Sequence, residues 1–115
     1  MATARELADR YVESVNAGDL ETVVALFADD AELLNPFGHF TGTEQVRGFY
    51  EKTILAVTPR VTAAGWIEER NRIAFELEAR VDGYYAVQYA MDHLTVAADG
   101  EHIGRMALYY RQVSR

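Results

Sequence analysis

Apolar and polar positions change period near the middle of the chain. Leu7, Ala8, Tyr11, Val12 and Val15 recur at helical spacing and form a stripe that a helix would bury. Thr3 and Glu6 precede that stripe at the spacing of a capping box. Asn16-Ala17-Gly18 then supplies a glycine suited to the left-handed backbone that ends a helix. Asp19 is placed to cap a second, short helix with Leu20, Val23, Val24 and Phe27 inward. Residues 31–34 read as a strand. Asn35-Pro36-Phe37-Gly38 reads as a turn, because proline biases the residue before it toward extended backbone. Thr43 is expected to cap a third helix that presents Val46, Phe49, Tyr50 and Ile54 on one face.

After Pro59 the pattern becomes that of strands, expected over 60–68, 72–81, 84–97 and 102–113. Asp82-Gly83 is the sequence of a two-residue hairpin turn. Asp99-Gly100 suggests another tight turn, and Asn71 sits at the earlier reversal. Helices first and a strand meander afterwards predict an α+β domain spanning 1–115. Three N-terminal helices would cover a curved antiparallel or mixed sheet. Such a sheet under its helices can enclose an apolar pouch.

Composition narrows the partners. The 115 residues carry 18 acidic against 11 basic side chains, a net charge of −7, which disfavours nucleic acid or an anionic membrane. With no cysteine, disulfides, thiolate metal sites and cysteine nucleophiles are excluded. No apolar leader or membrane-length stretch is visible, so a cytoplasmic location is expected. No HExxH spacing or other metal motif appears, and no cofactor is expected.

A few polar residues stand in apolar company. Tyr11 lies on the stripe of the first helix, where a core tyrosine bonded to backbone or water is the ordinary reading. Asp92 lies in YAVQYAMDHLTV. If Ala90 and Leu94 point inward, so does Asp92, but Tyr89 and Met91 are apolar too and permit the opposite facing. Buried without a cation, its carboxyl would stay protonated and could donate a hydrogen bond. Asn35 is a common residue before proline. His93 would lie opposite Asp92, with a structural or interfacial role, and His39 in a solvated loop.

RYVESVNAGDLETVVALFADDAELLNPFG, residues 10–38, closely resembles the N-terminal region of the Δ5-3-ketosteroid isomerases of the SnoaL/NTF2-like superfamily. The likeness continues through GTEQVRGFY, AMDHL and RMALYY, and covers nearly the whole chain. The resemblance implies a conical α+β fold, usually a homodimer through its sheet. It implies a reaction that moves a steroid C=C bond into conjugation with a ketone through a dienolate. Tyr11 and Asp92 match the oxyanion donors, and Tyr50 the tyrosine that supports Tyr11 through a hydrogen bond. Phe27 stands where some members carry a further tyrosine. Phe75, Ala90, Met106 and Tyr110 match positions near or lining the steroid pocket.

The departure is Asn35, at the position of the family's catalytic carboxylate. An amide has the shape of a carboxylic acid but cannot accept the substrate's proton. The pattern implies an isomerase site lacking its base, which would bind steroid or phenolic ligands and scarcely turn over. Three alternatives compete: a SnoaL-like polyketide cyclase or other proton-transfer enzyme using Asp92, a non-catalytic binder of hydrophobic ligands, and a dimeric adaptor. His39 is a further stand-in base to weigh.

Overall fold

Helix α1, Ala4–Ala17, forms where its caps and stripe require. Thr3 accepts a hydrogen bond from the Glu6 N–H at 3.1 Å, and the Glu6 side chain accepts one from the Thr3 N–H. Gly18 ends the helix at φ 67°, a conformation that costs glycine little. Asp19 accepts from the Thr22 N–H and caps α2, Leu20–Ala25. Phe27, expected on that helix, instead opens strand β1, Phe27–Asn35, which is longer than the 31–34 expected. The cause is tertiary: the Leu26 carbonyl accepts from the Ile103 N–H at 2.7 Å, which draws the chain into the sheet at once.

The computed structural model describes residues 1–81 and 87–111; the expected Asp82-Gly83 turn lies outside them. A short strand not expected from the pattern, β2, Gly38–Thr41, pairs antiparallel with β1. Helix α3 covers Thr43–Lys52, and its first residue is not the cap: Gly42 holds that place at φ 86°, with no side-chain capping bond. The Gln45 side chain accepts the Thr41 N–H instead, at 2.8 Å. Ile54 leaves the α3 face and belongs to a separate 3₁₀ turn, Ile54–Ala56.

Strands β3 (Pro59–Glu69), β4 (Arg72–Val81), β5 (Gln88–Val96) and β6 (Ile103–Arg111) follow as an antiparallel meander. The sheet order is β2-β1-β6-β5-β4-β3, with β1 and β6 parallel, so the sheet is mixed. The helices cover its inner face, and Leu7, Leu33, Tyr50, Phe75, Leu94 and Met106 fill the space between. Near the middle of β3 the pairing shifts between Ala64 and Ile67, where Gly65 takes φ 66°. This bulge bends the strand and brings Trp66 onto Phe75, with ring centres 4.7 Å apart. The Arg5 guanidinium covers the indole at 3.8 Å and ties α1 to the edge strand. No helix among the described residues is long and apolar enough to cross a membrane.

Candidate active site

Strand register decides which way Asp92 faces. Asp92 pairs with Phe75 on β4 and Leu108 on β6, and alternation puts it on the inner face with Ala90 and Leu94. It is 1% exposed, and among the described residues neither carboxyl oxygen has a hydrogen-bond partner. Burial alone pushes its pKa up to about 8, so the protonated form predominates at pH 7 and is available as a donor. His93 lies on the opposite, outer face between Ala74 and Ala107.

Tyr11 reaches the same region from the buried stripe of α1. Its hydroxyl lies 2.9 Å from that of Tyr50 on α3. Burial, then the nearby Tyr50 and the charge Asp92 would carry, hold the Tyr11 pKa well above the usual phenol value. The phenol therefore stays protonated. Tyr50 is fully buried against Phe27 and Phe49, with ring centres 5.8 and 5.2 Å away.

Tyr11 and Asp92 both face one cavity of about 190 Å³ between α1, the 3₁₀ turn and β3 to β6. Its deep end is Tyr11, Val15 and Asp92; Val57, Gln88 and Tyr110 stand at the exposed mouth. Drug-sized ligand sites usually enclose about 300 Å³ or more, so a four-ring ligand would extend into that mouth. Ala90 and Tyr110, expected near the pocket, line it. Phe27, Phe75 and Met106, expected near or lining it, are packed in the core behind its wall: Phe27 on Tyr50, Phe75 on Trp66, and Met106 between Leu33 and Leu94. Val57, Pro59, Val61, Leu77, Ala79, Val81, Gln88 and Leu108, which the sequence alone did not mark as pocket residues, form much of the remaining wall. Leu77, Ala79 and Val81 alternate with Glu76, Glu78 and Arg80, a pattern that could have marked the inward set.

Asn35 sits apart. Its Oδ1 accepts a hydrogen bond from the Phe37 N–H at 2.8 Å, which builds the turn, and its Nδ2 is buried without a partner among the described residues. The parallel pair Leu34 and Ala107 puts Asn35 beside Leu108, whose other neighbour is Asp92. Asn35 and Asp92 thus share the inner face two strands apart, about 10 Å. Yet Asn35 does not line the cavity. It lines a shallow groove with Leu34 and Pro36, and Leu108 and Tyr110 are the wall common to both spaces. His39 pairs with Leu34 and so faces the other side of the sheet from Asn35, where it lies 3.7 Å from the Glu32 carboxylate. Among the described residues no three His, Cys, Asp or Glu side chains cluster as a metal site.

Solved structures share this architecture. The RV0760c protein of Mycobacterium tuberculosis, in complex with estradiol-17beta-hemisuccinate, superposes with a TM-score of 0.80 at 24% identity, covering 96% of this chain and 95% of that one. SalBIII, an epoxide hydrolase/cyclase-like enzyme of pyran ring formation in polyether salinomycin, gives 0.81 at 17%, over 95% and 91%. A candidate ketosteroid isomerase of Kribbella flavida gives 0.76 at 15%, over 97% and 80%. At these identities the likeness is one of fold, the expected NTF2-like α+β arrangement. The SnoaL-like domain model matches residues 8–105, most of the chain, and the protein accordingly belongs to the SnoaL-like domain family.

Proposed function

We propose that this protein is a steroid Δ-isomerase whose base position carries an amide. It binds the oxygen of a flat, apolar ketone or phenol at Tyr11 and Asp92 and turns over weakly. The observation that supports this reading best is the Asp92 carboxyl, mostly protonated at pH 7 and without a partner among the described residues, in a largely apolar cavity that also holds the Tyr11 phenol. A neutral carboxylic acid kept as a hydrogen-bond donor is a known device of ketosteroid isomerases. Such donors act most strongly where negative charge develops, so they favour a dienolate over the parent ketone.

The missing step is proton transfer. Asn35 cannot accept the proton from the carbon beside the ketone, and a positioned general base contributes about 10²–10⁴-fold. An aspartate here would keep one oxygen on the Phe37 N–H. Its other oxygen would take the place of the unpartnered Nδ2. Leu108 and Tyr110 stand between this position and the cavity, so turnover also requires Tyr110, 42% exposed at the mouth, to swing aside.

The test is Asn35→Asp, assayed with a 5-ene-3-ketosteroid. Isomerisation should rise by two orders of magnitude or more. A folded variant with no gain would overturn the reading. One observation favours a second: Asp92 is the only carboxyl among the described residues of the cavity, and a pKa of about 8 suits acid–base work near neutrality. A cyclase-type proton transfer through Asp92 would be abolished by Asp92→Asn and untouched by Asn35→Asp.

A further inference from the structure

The cavity has two polar ends and an apolar middle. Among the described residues its polar side chains are Tyr11 and Asp92 at the deep end, and Gln88 and Tyr110 toward the mouth. Between them the wall is apolar, with Ala79 and Ala90 leaving room where larger side chains would close it. Gln88 and Asp92 lie on one strand, four residues apart, and share the inner face through Ala90. At a strand's rise per residue their backbones are about 14 Å apart. The two ends differ in solvation: Asp92 is 1% exposed, whereas Gln88 is exposed. Gln88 lines the outer part of this cavity, and its amide has no hydrogen-bond partner among the described residues.

We propose that Gln88 is a specificity-determining residue, which binds a second polar group of the ligand while the first sits at Tyr11 and Asp92. The preferred ligand is then an elongated, rigid, apolar molecule with a hydrogen-bonding oxygen at each end, separated by about the span between Asp92 and Gln88. An amide both donates and accepts, so it serves a hydroxyl or a ketone at the far end. Tyr110 pairs with Ala90, one inner-face position deeper than Gln88, so Gln88 is the outermost of the two polar groups at the mouth. The inference rests on the capture of an oxygen at the deep end as proposed above, but not on any turnover.

The experiment compares binding of estradiol with binding of its analogue lacking the far-end hydroxyl, by calorimetric or fluorescence titration. The unaltered protein should bind estradiol about fivefold more tightly, the worth of one ordinary hydrogen bond. Gln88→Leu, a change at an exposed position, should erase or invert that preference while retaining the analogue's affinity. Gln88→Glu supplies a readout that altered packing alone would not give. A carboxylate only accepts, so estradiol should still bind while estrone, with a ketone at the far end, loses affinity. Equal affinities in the unaltered protein, or a preference that survives Gln88→Leu, would overturn the role of Gln88 alone. Failure of estradiol and its analogue alike to bind would instead overturn the oxygen-binding reading of the deep end, and this inference with it.

Discussion

The hydroxyls of Tyr11 and Tyr50 lie 2.9 Å apart, one carried by α1 and the other by α3. Each phenol has a single hydrogen, so this pair has a consequence for binding. Once Tyr11 gives its hydrogen to a ligand oxygen, Tyr50 must be the donor to Tyr11. Tyr50 thereby sets the direction of the whole chain of hydrogen bonds. Tyr50→Phe should keep the ring packing against Phe27 and Phe49 and weaken binding of a phenolic steroid by about 1 kcal/mol, roughly fivefold. A titration that finds unchanged affinity in a folded variant would show that Tyr11 works without this support.

Asp92 makes stability depend on pH in an unusual direction. Its folded pKa of about 8 lies far above the ordinary 3.8, so the folded state favours the protonated form. The stabilisation is complete below the ordinary carboxyl range and is lost as pH rises through about 8. Across that window the loss is up to about 1.4 kcal/mol per pH unit. Thermal melting should therefore fall steadily from about pH 5 to about pH 8. Asp92→Asn should flatten that slope; an unchanged slope would mean that the carboxyl is not buried as described.

Affinity should follow the same titration. A ketone accepts hydrogen bonds from neutral Asp92 and Tyr11, and the carboxylate formed above about pH 8 would repel its oxygen. Binding of a neutral ketosteroid should weaken up to tenfold per pH unit beyond that point. A flat profile to pH 10 would place the ligand oxygen elsewhere.

Asn16 clamps the cavity's edge strand. Its Nδ2 donates to the Val61 carbonyl at 3.0 Å, and its Oδ1 accepts from the Val61 N–H at 2.7 Å. The amide acts as a substitute neighbour for β3, the last strand of the sheet. Asn16→Ala should cost about 1–2 kcal/mol by losing both bonds, and Asn16→Asp about half of that by losing one. Chemical denaturation of the three proteins would order them accordingly, and equal stabilities would refute the clamp.

Two glycines should respond to alanine in opposite ways. Gly48 lies inside α3, and a Cβ there would meet nothing within 4 Å. Gly48→Ala should stabilise by about 0.5–1 kcal/mol. At Gly104 on β6 a Cβ would sit 2.9 Å from the Ala97 Cα, where only backbone movement gives relief. Gly104→Ala should destabilise by about 1–3 kcal/mol. Melting curves that moved both variants in the same direction would contradict this packing.

Much of the frame could be read directly. The capping box at Thr3 and Glu6, the glycine stop at Gly18 and the bounds of β4 depend on neighbours in sequence, and they stand as expected. The misplaced elements were those governed by distant partners. Phe27 follows a helix with no breaker between them, and only its hydrogen-bonded neighbour Ile103 turns the chain into a strand there. Strand β2 has four residues and a mostly exposed face, too little for an alternating pattern to show.

By itself the sequence determined the α+β order, the buried stripe that carries Tyr11, and the presence of an amide in the turn before Pro36. It left Asp92 undecided, because both faces of its strand carry apolar side chains. Tertiary structure decided that question through the row Phe75, Asp92, Leu108, which fixes the inner face on three strands at once. It also separated Asn35 from the cavity by the width of Leu108 and Tyr110. The physical reason is the same in both cases. A strand side chain's surroundings are set by register with strands remote in the chain, and a shift of one residue exchanges core for solvent.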